Sequence, residues 1–251
     1  MSGLIVPGPG YEFKAFKYSS HYWILELLER EKEPVHILDV GTASGYLGKI
    51  LRGRGHTIIG IEKDAVAAER AKDYYDSFQV ADIEAFEFPY LHEFDYIVFA
   101  DVLEHLRDPV AVLRTCMPAL KASGKIIISV PNVANLLVRL SLLFGRFEYV
   151  DHGILDRTHL RFFTQRSLKR MMCEVSCKVL DVIPTSLPVQ IVLPFTGNKM
   201  FMPLHEAFYA LTRCWKTVFA YQFVMAVTSC HSQVSLDCGD ELLVDRMLTN
   251  K

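Results

Sequence analysis

At 251 residues the chain is long enough for one domain of generous size carrying insertions, and 51% hydrophobic residues supply a sizeable core. A formal net charge of −2 leaves no basic excess, which argues against a nucleic-acid partner. No apolar run reaches the ~18 residues of a bilayer-spanning helix, and the first residues lack the basic-then-apolar pattern of a signal peptide. The six cysteines are scattered with no C-x-x-C pair and read as reduced thiols, so the expected location is cytoplasmic.

Ser19–Glu31 sets Tyr22, Trp23, Leu25, Leu27 and Leu28 between a Ser-Ser start and a charged end. It predicts a helix packed on a sheet and stopped by Pro34. Val35–Val40 predicts the first strand, and Tyr46–Arg54 a helix closed by Gly53 and Gly55. Thr57–Ile61 is the second predicted strand and ends at Glu62. Asp64 caps a predicted helix over Ala65–Tyr75. Phe78–Ala81 predicts a third strand ending at Asp82, and Phe94–Ala100 a fourth ending at Asp101. Asp108-Pro109 opens the next helix, with Asp as N-cap and Pro at the first helical position. Gly124–Val130 is a fifth strand ended by Pro131. This alternation predicts an α/β fold, a Rossmann-like doubly wound sheet with crossover helices on both faces.

After Pro131 the alternation breaks. Asn132–Arg166 is too long for an ordinary connection, and Leu136, Leu137, Leu140, Leu143 and Phe144 in it lie at helical spacing. Leu168–Glu174 predicts a helix capped by Thr164 or Ser167, and Lys178–Ile183 a sixth strand. Pro184–Val218 is a second excursion rich in Pro, Phe, Met and Leu, and Tyr221–Thr228 reads as the final strand. The expected organisation is a single domain over residues 1–251. Residues 1–33 form an N-terminal cap, 132–166 and 184–220 lid insertions, and 229–251 a polar tail.

The most telling segment is HILDVGTASG, His36–Gly45. A buried strand ends in an acid, passes two glycines and enters a helix, so bare backbone N–H groups and a helix N-terminus face a ligand. The nicotinamide fingerprint is G-x-G-x-x-G. Here the order is Asp39-x-Gly41-x-x-x-Gly45, with Ala43 between. An acid before the first glycine repels pyrophosphate but suits an ammonium group. S-adenosylmethionine carries one, and the turn favours it over a dinucleotide. Glu62 is placed to accept ribose hydroxyls, and Asp82 to accept the adenine amine beside Ala81 and Ile83.

The segments ILDVGTASGYLGKIL, IIGIEKD, VADIEAF, FDYIVFADVLEHLRDP and GKIIISVPN resemble, in order and spacing, the class I S-adenosylmethionine-dependent methyltransferases. The resemblance is to the group similar to ubiquinone-biosynthesis methyltransferases. DRTHLRFFTQRSL (Asp156–Leu168) resembles a bacterial subgroup acting on sugars or small metabolites. The resemblance covers roughly Val35–Asn132 and fades beyond about Val182. It implies a seven-stranded sheet whose last strand is antiparallel. It also implies cofactor roles for Asp39 and Gly41 at the methionine amino end, Gly45 at the helix approach, Glu62 at the ribose and Lys63 along the adenine. Asp82 and Ile83 would hold the adenine edge and face, with Ala100 and Asp101 near the methionine part. Ala43 departs from the family's usual glycine and narrows the turn.

The candidates for handling an acceptor proton are His105, Asp156 and His159. If Arg157–Phe163 is extended, His159, Arg161 and Phe163 share one face. The other reading of each is architectural: His105 packing the loop, Asp156 and His159 in a network that shapes the insertion. Asp151-His152 and Asp156…His159 raise a metal site, but no spacing matches a strong ligand motif and no metal is expected. Tyr11, Tyr18 and Tyr22 could cover the cofactor or simply pack. The apolar segments Val133–Phe147 and Leu187–Phe201 read as core and lid, or as a contact for a membrane surface or lipid-linked glycan. The expected activity is O-methylation of a sugar or small metabolite. N- or C-methylation stays open, as does a non-catalytic protein of the same fold that binds a partner through its apolar lid. A nicotinamide oxidoreductase ranks third.

Overall fold

The apolar runs of the sequence become β1 (His36–Val40), β2 (Thr57–Glu62), β3 (Ser77–Val80), β4 (Phe94–Ala100), β5 (Leu120–Pro131), β6 (Cys177–Pro184) and β7 (Gln222–Ser229). The computed structural model describes residues 17–187 and 201–230; Tyr11, the 188–200 part of the second excursion and the tail from residue 231 lie outside them. The strands form one sheet in the order β3-β2-β1-β4-β5-β7-β6. β3, β2, β1, β4 and β5 pair in parallel, and β7 runs antiparallel to both β5 and β6. The chain order reverses between β1 and β4, which opens a crevice at their carboxyl ends.

The helices among the described residues are α1 (Ser20–Leu28), α2 (Tyr46–Leu51), α3 (Ala65–Ala71), α4 (Pro109–Cys116), α5 (Leu136–Leu143), α6 (Gln165–Glu174), α7 (Met202–Cys214) and α8 (Lys216–Phe219). Successive strand side chains point to opposite faces, so the sheet feeds two cores. Ile37, Ile58, Tyr96, Val98 and Ile127 pack against Ile24 and Leu28 of α1 and Leu47 and Leu51 of α2. Leu38, Val40, Ile59, Ile97, Phe99 and Ile128 pack with Val112 and Leu113 of α4 and with Leu168 and Met172 of α6. Each such side chain contributes roughly 1.5–3 kcal/mol by leaving water.

The caps follow the sequence. Ser19, Asp64 and Asp108 accept from backbone N–H groups of α1, α3 and α4. Thr164 caps α6, and Ser167 completes a capping box with it, so both residues offered for this role take part.

Three expectations shift. The helix expected over Ala65–Tyr75 stops at Ala71, tightens into a 3-10 turn over Lys72–Tyr74 and releases Tyr75 into extended backbone. The Tyr75 ring then lies beneath Gly48, where a Cβ would come within 2.6 Å of it. β5 begins at Leu120 rather than Gly124, because a register shift opposite Phe94 and Tyr96 lets the earlier residues join. The leucines of 133–147 do not form core: α5 buries only Val138, while Leu143 and Phe144 are 76% and 75% exposed. This eight-residue helix is tied down at its first turn and leaves Leu137, Leu140, Leu142 and Leu143 exposed.

That tie is made by two buried asparagines. Asn132 donates to the carbonyls of Ala220 (2.9 Å) and Thr217 (3.3 Å) and accepts from Ala134 N–H. Asn135 donates to Ala220 and caps α5 through Leu137 N–H at 3.0 Å. Asn132→Ala strips several buried hydrogen bonds at once, and we expect a loss of about 2 kcal/mol in urea unfolding; a loss below about 0.5 kcal/mol contradicts this anchoring.

Candidate functional site

The site is built from the carboxyl ends of β1, β2 and β4. Asp39 is 2% exposed, and Tyr75 Oη donates to its Oδ2 at 2.6 Å. Burial pushes the Asp39 carboxyl up to about 7, against the Tyr75 hydrogen bond and with help from the charge of Glu62.

The turn after Asp39 holds three left-handed residues, Gly41 (φ +73°), Ala43 (φ +47°) and Gly45 (φ +78°). A side chain at Gly41 would meet Val102 Cγ2 at 2.6 Å, and one at Gly45 would meet the Ala71 backbone at 2.8 Å. Ala43 adopts the same region without glycine's freedom, a strain of about 1–2 kcal/mol. Its N–H donates to Glu62 Oε2 at 2.8 Å, and Asp64 N–H donates to Glu62 Oε1 at 2.9 Å. One carboxylate thus ties the β1–α2 turn to the β2–α3 turn.

The other cofactor candidates fall around this point. Lys63 is exposed beside Glu62. Asp82 is exposed just past β3 and accepts from Glu84 N–H at 3.0 Å, while Ile83 is buried against the core. Ala100 closes β4. Asp101 follows it in left-handed backbone, φ +57°, and is 7% exposed. Its Oδ1 accepts from Gln222 Nε2 at 2.9 Å and from the Ser129 hydroxyl. The strand-end acid is therefore locked to β5 and β7.

A 3-10 turn over Leu103–His105 follows, and it is stitched to the insertion. The Glu104 carbonyl accepts from Leu160 N–H (2.8 Å) and Arg161 N–H (3.0 Å). His105 Nδ1 lies 3.2 Å from the Thr158 carbonyl, His159 Nδ1 lies 3.1 Å from the Ile154 carbonyl, and the two rings meet edge to face with centroids 4.9 Å apart. Asp156 accepts from the Thr158 N–H (2.8 Å) and hydroxyl (2.7 Å). Burial acts against it, but these bonds and the nearby histidines hold the Asp156 carboxyl below its usual value. Burial, helped by His105, holds His159 below the usual imidazole value. His105 and the Asp156–His159 pair, far apart in sequence, come together as a group.

Residues 157–163 are not an extended strand. Asp156 builds a turn through Thr158, and Arg161 carries its guanidinium back to the Arg107 carbonyl at 3.1 Å through Nε. Phe163 is buried and bridges to Asn132. His159, Arg161 and Phe163 therefore do not share a face, and the cation expected over an acceptor is spent on Arg107. Tyr18 stacks on Tyr209, with centroids 3.9 Å apart, and joins Tyr22 and Trp23 in one aromatic cluster. Cys116, Cys173, Cys177, Cys214 and Cys230 are free thiols. No helix among the described residues is long and apolar enough to cross a membrane.

Sequence reasoning missed Tyr75, Ser129 and Gln222, the partners of Asp39 and Asp101. No local motif marks them; each reaches its acid from another strand or turn.

A family model described as a methyltransferase domain matches residues 17–182. The chain belongs to the methyltransferase domain family. It carries the class I S-adenosylmethionine-dependent methyltransferase fold, and S-adenosylmethionine is the cofactor of the family. The match ends where the sequence resemblance faded, near the end of β6. A ubiquinone biosynthesis O-methyltransferase of Coxiella burnetii is 29% identical over 155 residues, 59% of this chain and 65% of that protein. The enzyme of the same name from Thiobacillus denitrificans is 32% identical over 154 residues, 58% of this chain and 66% of its own. The chain thus spans just under two thirds of the length of these relatives. Among solved structures, an S-adenosylmethionine-dependent methyltransferase from Archaeoglobus fulgidus superposes with a TM-score of 0.56 at 15% identity, over 82% of this chain and 91% of that one.

The Asp39 environment has a measurable signature in this chain. Folded Asp39 keeps its proton up to about 7, whereas an unfolded aspartate releases it near 3.8. Between those values the folded state binds more protons, so this contribution is complete at low pH and lost as pH rises to 7. It is on the order of 4 kcal/mol. Asp39→Asn removes it. Relative to the variant, the wild-type urea midpoint should fall from pH 4 to 7 and then level off; parallel curves contradict the assignment.

Proposed function

We propose that this methyltransferase transfers a methyl group from S-adenosylmethionine to a hydroxyl of a small molecule, a sugar or small metabolite. The observation that carries the reading is the turn at Gly41–Gly45, folded back at the switch point with an acid on either side. Bound S-adenosylmethionine supplies a methyl carbon already activated by its sulfonium for in-line displacement. The chain's own part is to bind, orient and exclude water, and positioning alone supplies about 7–11 kcal/mol of such a barrier.

In this reading Asp39, Gly41 and Gly45 receive the methionine amino end, and Asp39 gives up its proton to face an ammonium. Glu62 exchanges its backbone partners Ala43 and Asp64 for ribose hydroxyls. Lys63, Asp82 and Ile83 border the adenine, and Ala100 and Asp101 the methionine chain. His105, Asp156 and His159 activate the acceptor hydroxyl, whose proton must leave as the oxygen takes the methyl group. The relatives named for ubiquinone O-methylation support oxygen as the methylated atom. The DRTHLRFFTQRSL resemblance supports a sugar or small metabolite over a quinone. Residues 132–166, with 184–187 and 201–220 of the second insertion, would cover the acceptor as a lid of the single domain.

Calorimetric titration with S-adenosylhomocysteine tests the reading, with NAD in parallel. Micromolar binding that weakens at least ~10-fold in both Glu62→Ala and Asp82→Ala is the expected outcome, since each change removes one or more polar contacts worth about 1–3 kcal/mol. Binding of NAD, or of neither ligand, contradicts it.

A further inference from the structure

We propose that Glu104, His105 and His159 form a binding site for a first-row divalent cation at the acceptor side of the cofactor crevice. The proposal rests on the methyltransferase reading for its place in catalysis, but not for its geometry.

Each of the three residues offers a ligating atom, and these atoms lie within 4.8 Å of one another. Two imidazoles and one carboxylate are a donor set that holds catalytic zinc and related ions with positions left open. The carboxylate comes from a buried residue, Glu104 at 1% exposure, and the histidines are half-buried.

The surroundings hold both rings in a metal-binding posture. His105 Nδ1 faces the Thr158 carbonyl at 3.2 Å and His159 Nδ1 faces the Ile154 carbonyl at 3.1 Å. A ring N–H donated to a backbone carbonyl fixes the tautomer and leaves Nε2 as a lone-pair donor, the arrangement found behind most metal-bound histidines. The same carbonyl clamp is not needed for a histidine that merely packs, and here it occurs twice at one point.

The two segments that supply the donors are also preassembled. The Glu104 carbonyl accepts from both Leu160 and Arg161, and Arg161 reaches the Arg107 carbonyl. Asp156, hydrogen-bonded to Thr158, sets the loop that carries His159 and stays outside the donor set. The donors come from two separate segments, which no local spacing marks; of the residues that raised a metal in the sequence, His159 is in this set and Asp151, His152 and Asp156 are not. Asp151 instead pairs with Arg157 at 2.9 Å.

A cation held by three protein donors keeps open positions for oxygen ligands. It would lower the pKa of a coordinated acceptor hydroxyl, whose proton passes to water, and would favour acceptors with two adjacent oxygens.

The test uses the full chain, dialysed against a chelator and titrated with ZnCl2 by calorimetry, with S-adenosylhomocysteine titrated separately. The expected result is one Zn2+ per chain. Affinity should fall at least ~10-fold in His105→Gln and in His159→Gln and be unchanged in His152→Gln. Unchanged S-adenosylhomocysteine affinity in the glutamine variants shows that they are folded. Wild-type protein that binds S-adenosylhomocysteine but no stoichiometric Zn2+ overturns the cation site and leaves the methyltransferase reading standing. Zn2+ binding that is the same in wild type and both variants also overturns it. Zn2+ binding that depends on His105 and His159 without S-adenosylhomocysteine binding upholds the site and overturns the cofactor reading instead.

Discussion

The bridge from Glu62 to the backbone of Ala43 and Asp64 is the contact on which the rest of the site depends. It joins the turn after β1 to the turn after β2, and it holds three alternate left-handed positions, 41, 43 and 45, in a tight return. A free peptide of this sequence would not keep Ala43 there, since the conformation costs it about 1–2 kcal/mol. The bridge and the packing of Gly41 on Val102 and Gly45 on Ala71 supply the offset. Below the turn, Tyr75 leaves its helix early and reaches Asp39 through the space that Gly48 leaves open. A strained turn, a buried acid and an early helix stop are three views of one constraint.

On the other side of the switch point the design differs. Asp101 is also left-handed and buried, but its carboxylate is held by Ser129 and Gln222. This links the crevice to β5 and to the antiparallel β7, the last strand among the described residues. The 132–166 insertion then hangs from two anchors, the asparagines at the end of β5 and the Glu104 carbonyl. Between them α5 and its C-cap leave Leu143 and Phe144 exposed.

Much of this was legible in the residues. β1, β2, β3 and β4 were marked by short runs with an acid at or just past their ends, and the helix starts by Ser19, Asp64, Asp108 and Thr164. These signals are local: a cap or a strand alternation depends on neighbours in sequence. What the sequence concealed is non-local. Nothing near Gln222 announces that it meets Asp101, and nothing near Glu104 announces His159. A shared face for His159, Arg161 and Phe163 required Arg157–Phe163 to be extended, but Asp156 can satisfy Thr158 locally, and the turn wins. Periodicity in Val133–Phe147 correctly gave a helix, yet it cannot say whether the apolar stripe finds a partner, and here only Val138 is buried.

The most direct test of the account is a crystal structure of the chain with S-adenosylhomocysteine. The account predicts the ribose hydroxyls on the Glu62 carboxylate, the amino group beside Asp39 and the methionine chain over Gly41–Gly45, with the Ala43 bond to Glu62 lengthened or lost. A ligand seated elsewhere, or one at this turn with Glu62 still bonded to Ala43 and Asp64 and out of reach of the ribose, would contradict it.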